Sequence, residues 1–263
     1  MLSSPMLASM ADATTRPTPR ERARAELMRD LLAAARARLA QDGPQQLSLR
    51  AVARDLGLAS SAVYRYVESR DALLTLLVSQ SYDAVGHAVE QAAEASVAAG
   101  HAPARTWLEA GRAFRAWALD DPHGFELIYG TPVPGYVAPP DTVTPAARLW
   151  GVVVDVLVAA REAGSLDPAG HAFPPAGVVT DDVLAFAVAR DPRAAVLDAA
   201  DAARCLTMFA TLVGAVTSEL FGHLTGIAAD RARAFDVVVA TAAAGVGLRI
   251  DLAEAWGEPV AAL

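Results

Sequence analysis

Residues 48–74, SLRAVARDLGLASSAVYRYVESRDALL, constrain the fold more than any other stretch of the chain. Gly57 separates two short helix-compatible segments, Leu49–Leu56 and Ser60 to about Val67. Ala53, four positions before the glycine, is small enough to let two helices approach, and Val63, six positions after it, is apolar and β-branched. A bulky residue at 53 would wedge the helices apart, whereas Gly57 reaches a left-handed turn conformation without steric cost. Val52, Leu56, Leu58 and Tyr66 supply further packing. This spacing predicts a helix-turn-helix.

With Val63 turned inward, Ser60, Tyr66 and Val67 share its face, and Ser61, Tyr64, Arg65 and the edge residue Ala62 are left outward. The N-terminal part of such a second helix is what enters a DNA major groove. Arg65 can offer a bidentate fork to guanine O6 and N7, and the Ala62 methyl can meet a thymine methyl. Ser61, with Ser60 beside it at the helix start, can reach a base edge or a phosphate. Tyr64 and Tyr66 can donate to phosphates, and Arg70 with the amides after Ser69 offers a further phosphate site. The plainer reading of the same residues is a three-helix packing unit with a solvated arginine and two half-buried tyrosines.

Charge distribution separates these readings. The net charge of -8 argues against a nucleic-acid partner, but it is unevenly placed. There is no lysine; residues 1–81 hold 11 Arg against 8 acids, and residues 82–263 hold 11 Arg against 22. A basic first third on an acidic body is expected when one domain touches phosphates and the other does not. The single cysteine, Cys205, excludes an intrachain disulfide and fits a reducing cytoplasm. Its apolar neighbours predict a buried structural thiol. The N-terminus lacks signal-peptide character, and no apolar run reaches the ~18 residues of a membrane span. The chain reads as soluble, cytoplasmic and without a membrane partner.

Residues 1–19 show no periodicity and are expected to form a disordered arm. Helices are predicted over Arg20–Ala40, Leu49–Leu56, Ser60–Val67, and from Ser69 toward Ala99, with Ser48 and Ser69 as N-caps. Further helices follow at Trp107–Leu119, His123–Tyr129, Thr144–Ala163, Asp198–Leu224 and Ala229–Asp251, with 165–181 as loop. No run alternates like a strand, so the fold class is all-α. The domain plan is a three-helix DNA-binding domain over 20–68 and a larger helical domain over 69–263.

Residues 24–74 resemble the DNA-binding domain of the TetR/AcrR family of transcriptional regulators. LLAAARARLAQDGPQQLSLRAVARDLGLASSAVYRYVESRDALL carries the similarity: a long first helix, an LSLRAVARDLG second helix and a VYRYVESRDALL link to the fourth. By position the resemblance implies that Ser48 contacts a phosphate and Arg50 a base or phosphate. Ser61, Ala62, Tyr64 and Arg65 fall on the base-reading face, and Tyr66 and Arg70 on phosphate positions. Arg70 stands where lysine is commonest, and Tyr66 where histidine is frequent. The resemblance further implies a C-terminal domain that binds a small molecule and dimerises on a palindromic DNA operator.

The body fits that expectation. Residues 107–130 concentrate Trp107, Phe114, Trp117, Phe125 and Tyr129, five of sixteen aromatics. They resemble a C-terminal subtype named for Trp, His and Gly, with Trp117, His123 and Gly124 as its signature. A pocket among these helices and Thr144–Ala163 would add Trp150 and Phe209 and suit a lipophilic or aromatic effector. The same aromatic stripe reads equally well as plain core. Asp120-Asp121-Pro122-His123 reads as a helix junction with a capping acid, not a catalytic group. No metal-ligand spacing, nucleophile elbow, dinucleotide fingerprint or P-loop is present, so neither cofactor nor enzymatic activity is expected. Small residues in the last two long helices (Gly214, Ala215, Ala242, Ala243, Ala244, Gly245, Gly247) point to a homodimer through a four-helix bundle. The expected function is a ligand-responsive repressor. The alternative is a helical small-molecule-binding protein without DNA affinity.

Overall fold

The structure, a computed structural model, describes residues 18–167 and 178–257. Among these residues it has eleven α-helices and no strand. The chain divides into two compact units between Leu73 and Leu74, inside one long helix.

The first unit opens with α1, Pro19–Asp42. Thr18 caps it: its hydroxyl accepts from the Glu21 amide, and the Glu21 carboxylate accepts from the Thr18 amide. Pro19 costs nothing at the first helical position, where its missing N–H has no partner to lose. Residues 1–17 of the expected arm lie outside the described residues, while Thr18 and Pro19 belong to this helix start. Gly43, at φ 73°, ends α1. Next come α2, Leu49–Asp55, and α3, Ser60–Val63, and Ser69 then caps α4, Arg70–Ala98, by accepting from the Ala72 amide at 3.0 Å. Leu31, Ala35 and Leu39 of α1 are buried, as are Val52, Ala53, Val63 and Val67. Arg38 donates to Asp55 at 2.6 and 2.7 Å and to Asp42 at 3.0 Å, tying α1 to the end of α2.

The second unit holds the rest of α4 with α5 (Pro103–Asp120), α6 (Pro122–Tyr129), α7 (Val143–Glu162), α8 (Asp181–Arg190), α9 (Ala199–Leu220), α10 (Arg231–Gly245) and α11 (Leu252–Trp256). Its core runs through Trp107, Phe114, Phe125, Leu149, Leu157, Met208, Leu212, Val239 and Ala243. At the α5–α6 junction the Asp121 carboxylate accepts from the Gly124 amide at 2.9 Å and fills the space a Cβ at 124 would need. The Asp-Pro-His turn is thus a helix cap. Three helices depart from expectation, among them the short α11, which is not among the predicted helices. α8 lies in a stretch the apolar periodicity left unassigned, and α10 stops at Gly245 instead of reaching Asp251. The cause is Gly247, at φ 94°, whose carbonyl accepts from the Asp167 amide at 2.8 Å and whose missing side chain lets that backbone close in.

Three buried acids in this unit are held in ion pairs. Glu219 accepts from Arg115 at 2.6 and 2.7 Å, and Asp236 from Arg112 at 2.7 and 3.1 Å and from the Trp256 indole at 2.8 Å. Asp201, wholly buried, accepts from Arg161 and Arg204. Residues 140–162 and α9 have the length and composition of membrane spans. Each buries a face in the core and carries such charges, Arg148, Asp155 and Arg161 in one, Asp201, Arg204 and Glu219 in the other. They are core helices. Cys205 is buried, and burial pushes its thiol up to about 12, as expected of a structural cysteine.

Candidate functional site

Gly57, at φ 66°, makes the turn between α2 and α3, and the Leu58 amide closes it by donating to the Ala53 carbonyl at 2.9 Å. Ala53 and Val63 are each 1% exposed, as helix-turn-helix packing requires. The regular helix stops at Val63, but amides 64–67 still donate to carbonyls three or four residues back, so the helical path runs on to Val67.

That path sets which side chains stay free. Ser61, Tyr64 and Arg65 are exposed, with Ser60, Ala62 and Tyr66 at the edge. Ser48 begins α2 in extended backbone and makes no side-chain capping bond, and Arg50 is exposed one residue into that helix. Arg70 behaves differently. Its guanidinium donates to the carbonyls of Pro44 at 2.8 Å, Leu47 at 3.2 Å and Gln45 at 3.4 Å. It braces the start of α4 against the chain leading into α2.

The arginines explain the uneven charge. In the second unit every arginine except Arg231 pairs with an acid among the described residues. In the first unit Arg20, Arg22, Arg29, Arg50, Arg54 and Arg65 form no ion pair among the described residues. The body neutralises most of its own cations, whereas the helix-turn-helix unit leaves those six available to phosphate.

A cavity of about 360 Å³ opens in the second unit between α4, α6, α7, α8 and α9. Its aromatic wall comprises Tyr82, Tyr129, Trp150, Phe186 and Phe209, and among the described residues Asp182 is the one charged group in the lining. Trp150 and Phe209 stack with centroids 4.5 Å apart and planes 19° from parallel. Tyr129 links this wall to the core, lying 5.3 Å from Phe125 and 5.6 Å from Phe114, and its phenol is held neutral by burial. Of the eight expected pocket residues, Tyr129, Trp150 and Phe209 line the cavity. Trp107, Phe114 and Phe125 are buried core, Trp117 packs beside Phe114 and Phe125, and His123 is exposed. Tyr82, Val183 and Phe186 were missed; the last two recur at helical spacing in DDVLAFAVAR, which was the available signal. A second cavity, about 590 Å³, is lined by charges largely paired already, Asp155 with Arg190 and Glu90 with Arg148. Among the described residues no group of His, Cys, Asp or Glu could hold a metal ion.

Leu206, Ala210 and Gly214 of α9, and Phe221 at its end, are exposed at spacings of four, four and seven, which is one helical face. On α10, Val237, Val238, Thr241, Ala244 and Gly245 do the same. A Cβ at Gly214 or Gly245 would meet nothing within 4 Å, so neither glycine is required by its own subunit.

Comparison with known proteins agrees with this geometry. Residues 31–77 match the family described as bacterial regulatory proteins, tetR family, and residues 107–242 match the tetracyclin repressor-like C-terminal domain. The HTH-type transcriptional regulator Rv1816 of Mycobacterium tuberculosis is 36% identical over 221 residues, which span 80% of this chain and 87% of that protein. The crystal structure of regulatory protein SCO4313 superposes with a TM-score of 0.65 at 31% identity, over 86% of this chain and 98% of that one. A tetR-family regulator from Rhodococcus RHA1 shares the fold at 16% identity, with a TM-score of 0.55 over 84% and 97% of the two chains. An N-terminal helix-turn-helix with six arginines outside any ion pair among the described residues, a larger helical body and relatives matched along most of their length lead to one conclusion: the chain belongs to the TetR family of DNA-binding transcriptional regulators.

Proposed function

We propose that this regulator is a homodimeric repressor that leaves a palindromic operator when a small lipophilic or aromatic effector enters the aromatic cavity. The observation that carries the reading is Tyr82, a cavity-lining residue on α4. The same helix begins at Arg70 within the DNA-binding unit, so a ligand that displaces Tyr82 acts on the helix connecting both functions. Such a ligand shifts the protein only if it prefers the state that cannot bind DNA. The protein acts in the cytoplasm, beside its DNA.

On DNA, Arg65 and Ser61 read base edges with Ala62 and Tyr64, while Ser48, Arg50, Ser60 and Tyr66 meet the backbone. Arg70 supports that surface through its brace. Arg65→Ala is expected to cost ~1–3 kcal/mol on the operator and to relax preference at one base pair. Equal losses on operator and random DNA, measured by anisotropy, would remove the base-reading role.

In the cavity, apolar walls supply affinity and the Tyr129 phenol supplies one hydrogen-bond donor. Ala147→Trp, placed in that wall, should fill the space. Saturable fluorescence enhancement of Nile red, a neutral lipophilic dye, is expected for the native protein and not for the variant. Equal enhancement in both would put dye binding elsewhere.

A further inference from the structure

The family's DNA-binding model begins at residue 31, yet α1 begins at Pro19. Residues 19–30 therefore form about three turns of helix, roughly 18 Å long, beyond the matched domain. Residues 18–26 are exposed, and burial begins in earnest only at Leu31. The extension has a defined start, since Thr18 and Glu21 close a capping box.

Helical geometry sorts its charges. Arg20, Arg24, Leu27 and Leu31 fall on one face at steps of four, three and four residues. The face that packs the domain core at Leu31 thus presents two arginines once it passes the domain's edge. Glu26 falls toward the opposite side and Asp30 on the flank, and the Glu21 carboxylate is engaged by the Thr18 amide at 2.7 Å and hydroxyl at 3.0 Å. Arg20 forms no ion pair among the described residues. The Arg24 guanidinium lies 5.3 Å from the centre of the Tyr66 ring, at the end of the recognition helix path. This contact joins the extension to the surface that meets DNA.

We propose that the α1 extension is a second DNA-contacting element, in which Arg20 and Arg24 grip the phosphate backbone beside the bases read by the recognition helix. The proposal rests on DNA binding through the helix-turn-helix and lengthens its footprint. The bond is sequence-independent, because an arginine on phosphate carries charge but no base pattern. Arg24 adds a positioning role by stacking on Tyr66.

The test is anisotropy of labelled 30-base-pair duplexes, one operator selected from genomic fragments and one random, across a salt series. The proteins are the native chain, R20A, R20A/R24A and R65A. Arg20 is exposed and forms no ion pair among the described residues, so R20A is expected to fold as the native chain does, and thermal unfolding of both variants controls for any lost stability. The log-affinity against log-salt slope should fall by about 0.9 per subunit in R20A and nearly twice that in R20A/R24A. The loss should be the same on operator and random DNA. Unchanged slopes and affinities in both variants, while R65A loses operator preference, would overturn the proposal and leave the helix-turn-helix reading standing. A loss confined to the operator would also overturn it, because phosphate contacts cannot discriminate.

Discussion

Arginine in place of Gly214 is expected to give a folded monomer that has lost most of its operator affinity. A glycine inside a helix costs about 1 kcal/mol relative to alanine. Gly214 sits in the middle of α9, is exposed, and has nothing within 4 Å of where a side chain would start. Its own subunit gains nothing from the missing side chain. A second subunit packed on this face, as proposed, would gain, because small residues let helix axes approach closely and would bury the exposed Leu206, Phe221, Val237 and Val238. Arginine would place a charge in that contact and leave the monomer's packing untouched. Two half-sites bound together exceed one by a factor of roughly 10²–10⁴ through effective concentration, and that factor should vanish with the dimer. Light scattering gives the mass and anisotropy the affinity. A variant that remains dimeric would place the interface on another face.

Asp201→Ala should destabilise the body by ~3–5 kcal/mol, because it removes one partner of a buried ion-pair network. Asp201 is 0% exposed and accepts from Arg161 at 2.8 and 3.1 Å, from Arg204 at 2.9 Å and from the Asp198 amide at 3.2 Å. Alanine leaves the Arg204 guanidinium, only 12% exposed in the native chain, without that acid, and opens the capping box that starts α9. A loss of this size is a large fraction of the ~5–15 kcal/mol that holds an ordinary domain together. Urea unfolding measures it. A change below ~1 kcal/mol would mean that the network is solvated and behaves as surface pairs do.

The DNA-binding unit could be read from the chain because its determinants are local. Ala53, Gly57 and Val63 lie within eleven residues, and each has a residue-type requirement that the turn imposes. Arg70 could not be read in the same way: its partners are backbone carbonyls of Pro44, Gln45 and Leu47, which leave no mark in residue type. The cavity was only half visible. Its walls come from Tyr82, Trp150, Phe186 and Phe209, on four helices spread over more than a hundred residues, and local density of aromatics cannot report such a meeting. The aromatic stretch 107–130 signalled mainly the core beneath it, with Tyr129 as the point where core and cavity join. The proposed dimer face shows the same limit at the level of single residues. Ala215 and Ala243 are as small as their neighbours, yet Ala243 is fully buried within the subunit, so a bulky residue there would disrupt folding before association. Exposure selects Gly214, Ala244 and Gly245 from that stripe.

The most direct test of the account is fluorescence anisotropy of the native protein on DNA from its gene's upstream region and on genome-selected fragments, with random DNA as reference, over a salt series. The account predicts tight binding to a two-fold symmetric site, typically 10³–10⁷ tighter than to random sequence, weakening steeply as salt rises. Weak binding of equal strength on every duplex would contradict it and leave a helical small-molecule-binding protein whose helix-turn-helix no longer reads DNA.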